Sequence, residues 1–464
     1  MVDMIEPADG TPAPTTHFYS AKTSRGELTV YRGPLVGRSG ARQFDATGSI
    51  TLRWNPWPML QWSGGSEEVD VGIDLTTGSL VLEDPQVEVP QKHAFQIAST
   101  EQTPTEEFQW EGRGPQHRTV VGDPEAKDLT HATFILANLP AMTVGGKLRH
   151  KTGWYLGRTL LAGAGWKVTL DSPSNRREIE EDLRDNGGHA ATHTGRIERE
   201  DGSDFDTESL QDVLHILRYT LSLACGHWTS PILPVAYNSS AEPAWSEWAS
   251  PLVSPWRTSP GLVDSYHPEQ LQELFGCIAV AWTDPLKQEV VRRAIYYLID
   301  ANDPHPLELA VSSAQSGLEL LGWSELVEDR QIHTAGTYKK LKAHESMREL
   351  LALHSISPAF PSDLAELTPA AAKLTGLSVS DGPEVLTRMR NGVMHPSRTK
   401  PKFSTGEWYD AWCLARHLSP ARHPRIRRIP GHPPRPRGEG SPRRTDRECP
   451  LEPVDQRHRS AVTT

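Results

Sequence analysis

ESLQDVLHILRYTLSLACG, residues 208–226, is where the chain changes character. Leu210, Val213, Leu214, Leu217, Leu221 and Ala224 recur at three- and four-residue intervals, the apolar stripe of an amphipathic helix. Asp206 or Thr207 stands where a helix N-cap is needed. Before this stretch the pattern is that of strands. ELTVY (27–31), SITLRW (49–54), DVGIDL (70–75), SLVLED (79–84), ATFILANL (132–139) and GWKVTL (165–170) are short and rich in β-branched or aromatic residues. Each is bounded by Gly, Pro, Ser or Asp, which predicts an antiparallel β-sandwich or barrel. REIEEDLRD (177–185) interrupts them as a short helix, and ATHTGRIERED (191–201) reads as the final strand.

After it the pattern is helical. LKQEVVRRAIYYLID places Leu286, Val290, Val291, Ala294, Ile295, Leu298 and Ile299 on one stripe. Residues 306–327 predict the next helix, HTAGTYKKLKAHESMRELLALHSI a third and DLAELTPAAAKLTG a broken fourth. PEVLTRMRN opens on Pro383 beside Asp381 and Gly382, a helix start, and GEWYDAWCLARHL is the last. Short connections between such helices make an antiparallel bundle. The predicted class is therefore α+β. Its predicted parts are a disordered leader (1–22), a β-rich binding domain (23–204), a helix with a Trp-rich connecting region (205–284), a helical bundle (285–418) and a disordered Arg/Pro-rich tail (419–464). Trp245, Trp248 and Trp256 in the connecting region are read as packing residues, since tryptophan contributes mainly through buried area.

The 464 residues fit two or three domains. The net charge of −11 is unevenly spread. From Arg416 onward twelve Arg face five Asp and Glu, leaving 36 Lys and Arg against 54 Asp and Glu on the body. An acidic body argues against broad non-specific binding to nucleic-acid phosphates, so any such contact must be local. No apolar run reaches the ~18 residues of a membrane span. The acidic, Pro/Thr-rich start lacks the features of a signal peptide, so a cytoplasmic protein is expected. Cys225, Cys277, Cys413 and Cys449 show no CxxC spacing. His93, His117, His131, His150, His189 and His193 are dispersed without an HExxH pattern. No cofactor and no metal are expected, and the β domain is expected to bind without performing chemistry.

One motif carries chemistry. Arg-x4-His occurs as Arg184/His189, Arg390/His395 and Arg427/His432. The first sits at Asn186-Gly187-Gly188, which reads as a helix C-cap. The last lies in the Pro-rich tail. In VLTRMRNGVMHPSR (385–398), by contrast, Gly392 weakens the helix and Pro396 pushes His395 out of helical dihedrals, so a backbone break is expected between Arg390 and His395. A break would let the imidazole turn towards the guanidinium, with Asn391 orienting either phosphate or histidine. Metal-free RNA cleavage needs a proton taken from the ribose 2′-OH, one given to the leaving 5′-oxygen, and charge stabilised on phosphorus oxygens. Histidine suits proton transfer near neutrality. Arginine grips phosphate with a planar, permanently charged fork.

RNGVMHP (390–396) resembles the Arg-x4-6-His hallmark of the HEPN superfamily of helical bundles, many of them metal-independent ribonucleases. The resemblance covers residues 285–418. The layout, and phrases such as SAQSGLELLGW (313–323), look like the ApeA-type anti-phage HEPN proteins of bacteria. The resemblance implies Arg390 and His395 as the catalytic pair, Asn391 as their polar companion, and Glu319 as a supporting acid holding Arg390 or His395. It also implies a homodimer through the bundle, RNA as a transient substrate, and a phage-derived or cellular trigger on the β domain. In one respect the chain departs from the family, whose last helix runs well beyond the motif: here the sequence turns Arg/Pro-rich near Ser419. The alternative is a non-catalytic HEPN-like dimerisation protein with a ligand-binding β domain.

Overall fold

The structure, a computed structural model, describes residues 10–21, 23–39, 42–66, 78–82, 87–91, 95–98, 108–113, 119–142, 144–151, 153–257, 261–303, 306–374, 381–395 and 397–419. The fold is mixed α and β, with antiparallel sheets towards the N-terminus and helices towards the C-terminus. The first sheet holds β1 (Leu28–Ser39), β2 (Arg42–Arg53), β3 (Met59–Ser66), β4 (Gly78–Leu82), β5 (Val87–Gln91), β6 (Phe95–Ala98) and β7 (Phe108–Arg113) in the order β5-β4-β1-β2-β3-β7-β6.

The second sheet holds β8 (Thr119–Gly122), β9 (Leu129–Ala137), β10 (Gly146–His150), β11 (Gly153–Gly163), β12 (Trp166–Asp171), β13 (Ala191–Arg199), β14 (Pro231–Asn238) and β15 (Pro243–Trp248). Its order is β10-β11-β12-β13-β9-β14-β15-β8. Helix α1 (Arg176–Asn186) joins β12 to β13. The remaining helices are α2 (Thr207–Cys225), α3 (Pro268–Trp282), α4 (Pro285–Asn302), α5 (Leu307–Trp323), α6 (Ala335–Tyr338), α7 (Ala343–Leu353), α8 (Leu367–Lys373), α9 (Gly382–Met394) and α10 (Thr405–His417).

Strand β9 explains the layering. In LTHATFILA the side chains alternate between faces with period two. Ala132, Phe134 and Leu136 enter a core shared with α2, α3 and α4, while Ile135 and Ala137 enter the core facing the first sheet. Both faces are covered, so every residue of the strand from Ala132 to Ala137 is buried. The result is three layers: sheet, sheet, helices. Gly195 on β13 lies directly opposite Phe134, and a Cβ there would stand 2.1 Å from the ring's Cζ. Gly195→Ala is therefore expected to destabilise by about 1–3 kcal/mol through overpacking. Phe134→Leu should relieve part of that cost in the double variant, and simple additivity in urea unfolding would show that the ring does not depend on the glycine.

Several expectations change in the structure. Residues 231–248, read within the connecting region as a strand-and-loop stretch, are two strands that belong to the second sheet, with β14 pairing β9. β13 is thus internal rather than final. Long-range pairing decides this, and no local signal announces it. Trp245 and Trp248 are buried on opposite sides of β15, in the helix-facing and the sheet-facing core, as packing residues. Helix α4, placed by its sequence in the bundle, sends Ile295 and Ile299 into the β domain's core. The separate C-terminal core is built on Val311, Leu318, Leu350, Leu386, Met389 and Leu414 from later helices. The expected third helix is two, α6 and α7, divided at Lys339–Lys342. DVGIDL and the tail from residue 420 lie outside the described residues.

The leader is also corrected over residues 10–21, which are ordered against the second sheet. Thr15 donates from its backbone N–H (2.7 Å) and Oγ1 (2.8 Å) to Asp171, and Arg158 meets the same carboxylate through Nε and Nη2 at 2.8 and 2.7 Å. Arg149 and Arg158 donate to the carbonyls of Thr11 and Ala13, and Trp248 Nε1 donates to the buried Tyr19 hydroxyl at 2.8 Å. A Pro-rich segment has few backbone donors but keeps its carbonyls, and arginines on the sheet supply the missing partners. Asp171 is 2% exposed, so Asp171→Ala strands Arg158 and frees the segment. The expected loss is about 3–5 kcal/mol, measurable as a lowered urea midpoint; an unchanged midpoint would show the segment contributes nothing.

Candidate functional site

The motif lies at the end of α9. Asp381 caps this helix, accepting from the Glu384 N–H, and Pro383 sits in its first turn. Val385, Leu386 and Met389 are fully buried and fix which face meets the bundle. Gly392 does not break the helix. It continues to Met394, and the His395 N–H still bonds the Asn391 carbonyl at 3.1 Å. The chain leaves at His395, with φ −131° and ψ 70°, where the following proline disfavours helical dihedrals. The Lys400 ammonium donates to the carbonyls of Asn391 (2.9 Å) and His395, satisfying acceptors the helix end leaves open.

An unbroken helix keeps Arg390 and His395 about 140° apart around the axis. His395 is exposed, and its ring has no partner among the described residues. Arg390 is half-buried at the edge of the core face. Among the described residues its Nε is buried without an acceptor, and Nη1 donates to Asn391 Oδ1 at 3.4 Å. Among the described residues no hydrogen bond joins the imidazole to the guanidinium.

Nor is Glu319 brought to the pair. Its carboxylate accepts from Gln315 Nε2 at 2.7 Å on its own helix, and its backbone carbonyl takes a long 3.4 Å bond from the Tyr338 hydroxyl. An i, i+4 partner on the same turn satisfies the acid locally.

Two arginines on and beside α9 are paired. Arg388 makes two bonds to Glu384 Oε1, at 3.0 and 2.7 Å, and Arg348 on α7 bridges Asp381 (2.6 Å) and Glu384 (3.2 Å). Arg388 holds the Glu384 carboxyl below its usual range through hydrogen bonding. Sequence reading passed over Arg348 and Lys400. The Glu384/Arg388 spacing was visible as an i, i+4 pair, but the contacts of Arg348 and Lys400 are tertiary. Arg390, like Arg398 and Arg416, has no carboxylate partner among the described residues.

Elsewhere the Arg184/His189 match is structural. Gly187 ends α1, its N–H bonding the Leu183 carbonyl, and His189 is buried against the Val253 carbonyl. His189 and His193 are four apart, a spacing that suits metal binding on a helix. Here both are buried at the start of β13, and no three His, Cys, Asp or Glu among the described residues group as a metal site. Arg427/His432 lies outside the described residues, as do His93 and His117. Among the described residues no helix is long and apolar enough to cross a membrane.

Comparison with known proteins adds a relationship. Residues 124–259 match the family model of the YopA central domain, and residues 284–417 that of the YopA C-terminal domain. The first match spans the second sheet from just after β8 through α2 and β15, and the second begins at α4 and ends at the close of α10. The chain is 27% identical over 285 residues to the SPbeta prophage-derived protein YopA of Bacillus subtilis (strain 168), covering 61% of this chain and 62% of that protein. No solved structure matches.

Proposed function

We propose that the C-terminal bundle is a HEPN-type, metal-independent endoribonuclease, with Arg390 and His395 as catalytic residues and Asn391 as the companion that orients the guanidinium. The observation that carries this reading is the pairing pattern. Among the described residues Arg348 and Arg388 are committed to carboxylates, whereas Arg390 has none and sits five residues before an exposed imidazole without a partner. His395 takes the proton of the ribose 2′-OH as that oxygen bonds to phosphorus and returns it to the 5′-oxygen as the P–O5′ bond breaks, while Arg390 stabilises the phosphorus oxygens. Because one chain holds the two about 140° apart, a working site takes Arg390 from one protomer and His395 from its partner across a twofold axis, the commonest oligomer symmetry. The β domain then serves as the sensor for a phage-derived or cellular trigger. A prophage-derived relative fits a setting of conflict between phage and host.

The test is incubation of the purified chain with total RNA in EDTA. Cleavage should persist, products should end in 2′,3′-cyclic phosphate, and DNA should stay intact. Arrest by EDTA, or intact RNA under triggered conditions, rejects the reading. The intact helix favours a second one: a non-catalytic bundle that only dimerises. That protein would be dimeric by light scattering and leave RNA uncut.

A further inference from the structure

We propose that the cleft between α2 and the β14–β15 end of the second sheet binds a small anion, through a carboxylate or a phosphate group, with Arg218 as its anchor. This site is remote from the Arg390 motif and independent of the reading above.

The cleft encloses about 150 Å³. Gln211, His215 and Arg218 form one wall, spaced four and three apart so that they share a stripe of α2. Pro231–Pro234 and Glu247 form the other wall. The lining is mixed: Leu214, Ile232 and the prolines stand beside His215, Arg218, Ser230 and Ser250, so polar groups converge on an apolar floor as small polar ligands require.

Arg218 points to the class of ligand. It is half-buried, its Nε is buried with no acceptor, and no carboxylate pairs with it among the described residues. Its guanidinium stands 5.5 Å over the Trp228 ring, which holds its plane without neutralising its charge. A cation withdrawn from water and left without a counter-charge is costly, and an anion with two oxygens matches the planar fork.

The backbone gives a second, independent sign. Leu233 has φ +49°, a left-handed conformation that costs a branched residue energy. The register jumps there: Ile232 pairs with Ile135 and Val235 with Thr133, so Leu233 and Pro234 together oppose Phe134. This bulge forms the wall facing Arg218. Strain and bulges of this kind concentrate where a strand is reshaped to meet a ligand.

The experiment is isothermal titration of the full chain with sodium phosphate and, separately, with sodium butyrate, at fixed ionic strength with chloride as reference. Saturable binding of at least one probe, with Kd of about 1 mM or tighter, is expected. Phosphate alone assigns a phosphate head, and butyrate alone a carboxylate. Arg218→Gln should weaken the bound probe at least about tenfold, as loss of a charged fork requires. Should that variant fold poorly, Ala249→Phe leaves Arg218 in place, fills the cleft and should give the same loss. No saturable binding of either probe, or parental affinity in both variants, overturns the proposal.

Discussion

Replacing His395 by alanine is expected to lower RNA cleavage by about 10²–10⁴-fold, the usual loss when a general acid or base is removed. The melting temperature should hold, because the imidazole is exposed and bonded to nothing among the described residues. Arg390→Lys should fail nearly as badly. It keeps the charge but loses the planar, two-pronged grip on phosphate. Arg388→Ala gives the contrast. Arg388 neutralises Glu384, which is 8% exposed, so its loss should cost stability far more than turnover at a permissive temperature. Mixing the His395→Ala and Arg390→Ala chains tests the shared site. If each protomer lends one residue, mixed dimers rebuild one complete site and recover part of the activity. Parental cleavage by the His395→Ala chain would assign the motif a structural role.

Acid should unfold the β domain well before ordinary carboxylates are protonated. His193 and His227 are buried at 6% and 1% exposure. Burial, helped by Arg176, lowers the His193 pKa to about 3; burial, helped by Arg257, lowers that of His227 to about 4. Burial also lowers His17 to about 4 and shifts His189 downward. The folded state therefore keeps these rings neutral, while the unfolded chain binds protons near pH 6.5. Between those values the unfolded state holds more protons, so stability falls as pH falls. It is complete above about pH 6.5 and is lost progressively down to about pH 4. His193 and His227 each contribute on the order of 3 kcal/mol to that loss. Two of them together rival the ~5–15 kcal/mol of a typical domain. Glu325, Glu384 and Glu407 have lowered pKa values and add a loss in the same direction at the acid end. Urea midpoints followed by near-ultraviolet circular dichroism from pH 7.5 to 4.5 should fall steeply, and His227→Gln should flatten the slope. A midpoint unchanged across that range would mean the histidines are not held neutral.

The amino-acid sequence by itself determined what depends on neighbours a few residues apart. The stripe from Leu210 to Ala224 encodes α2, and Asp206 caps it through its bond to the Ser209 N–H. Pro383 and Asp381 start α9, and Gly187 ends α1. Alternation of short β-branched runs marks the strands. Such signals are local because helix and turn energetics act within one or two turns. Only the tertiary structure decided the rest. Pairing of β14 with β9 joins residues about a hundred apart, and nothing near Pro231 announces it. The Pro/Thr segment at 10–21 resembles a solvated leader until Asp171, Arg149 and Arg158 are seen to meet its backbone. Gln211, His215 and Arg218 look like the polar face of a helix, and their cleft exists only because the β14 bulge stands opposite. Around RNGVMHP the sequence marked Arg390 and His395, but the end of α9 was decided by competition between a weak glycine and a well-buried apolar face. Leu386 and Met389, fully buried, outweigh the roughly 1 kcal/mol cost of Gly392. The helix therefore runs on to Met394, and the two residues stay on different sides of it.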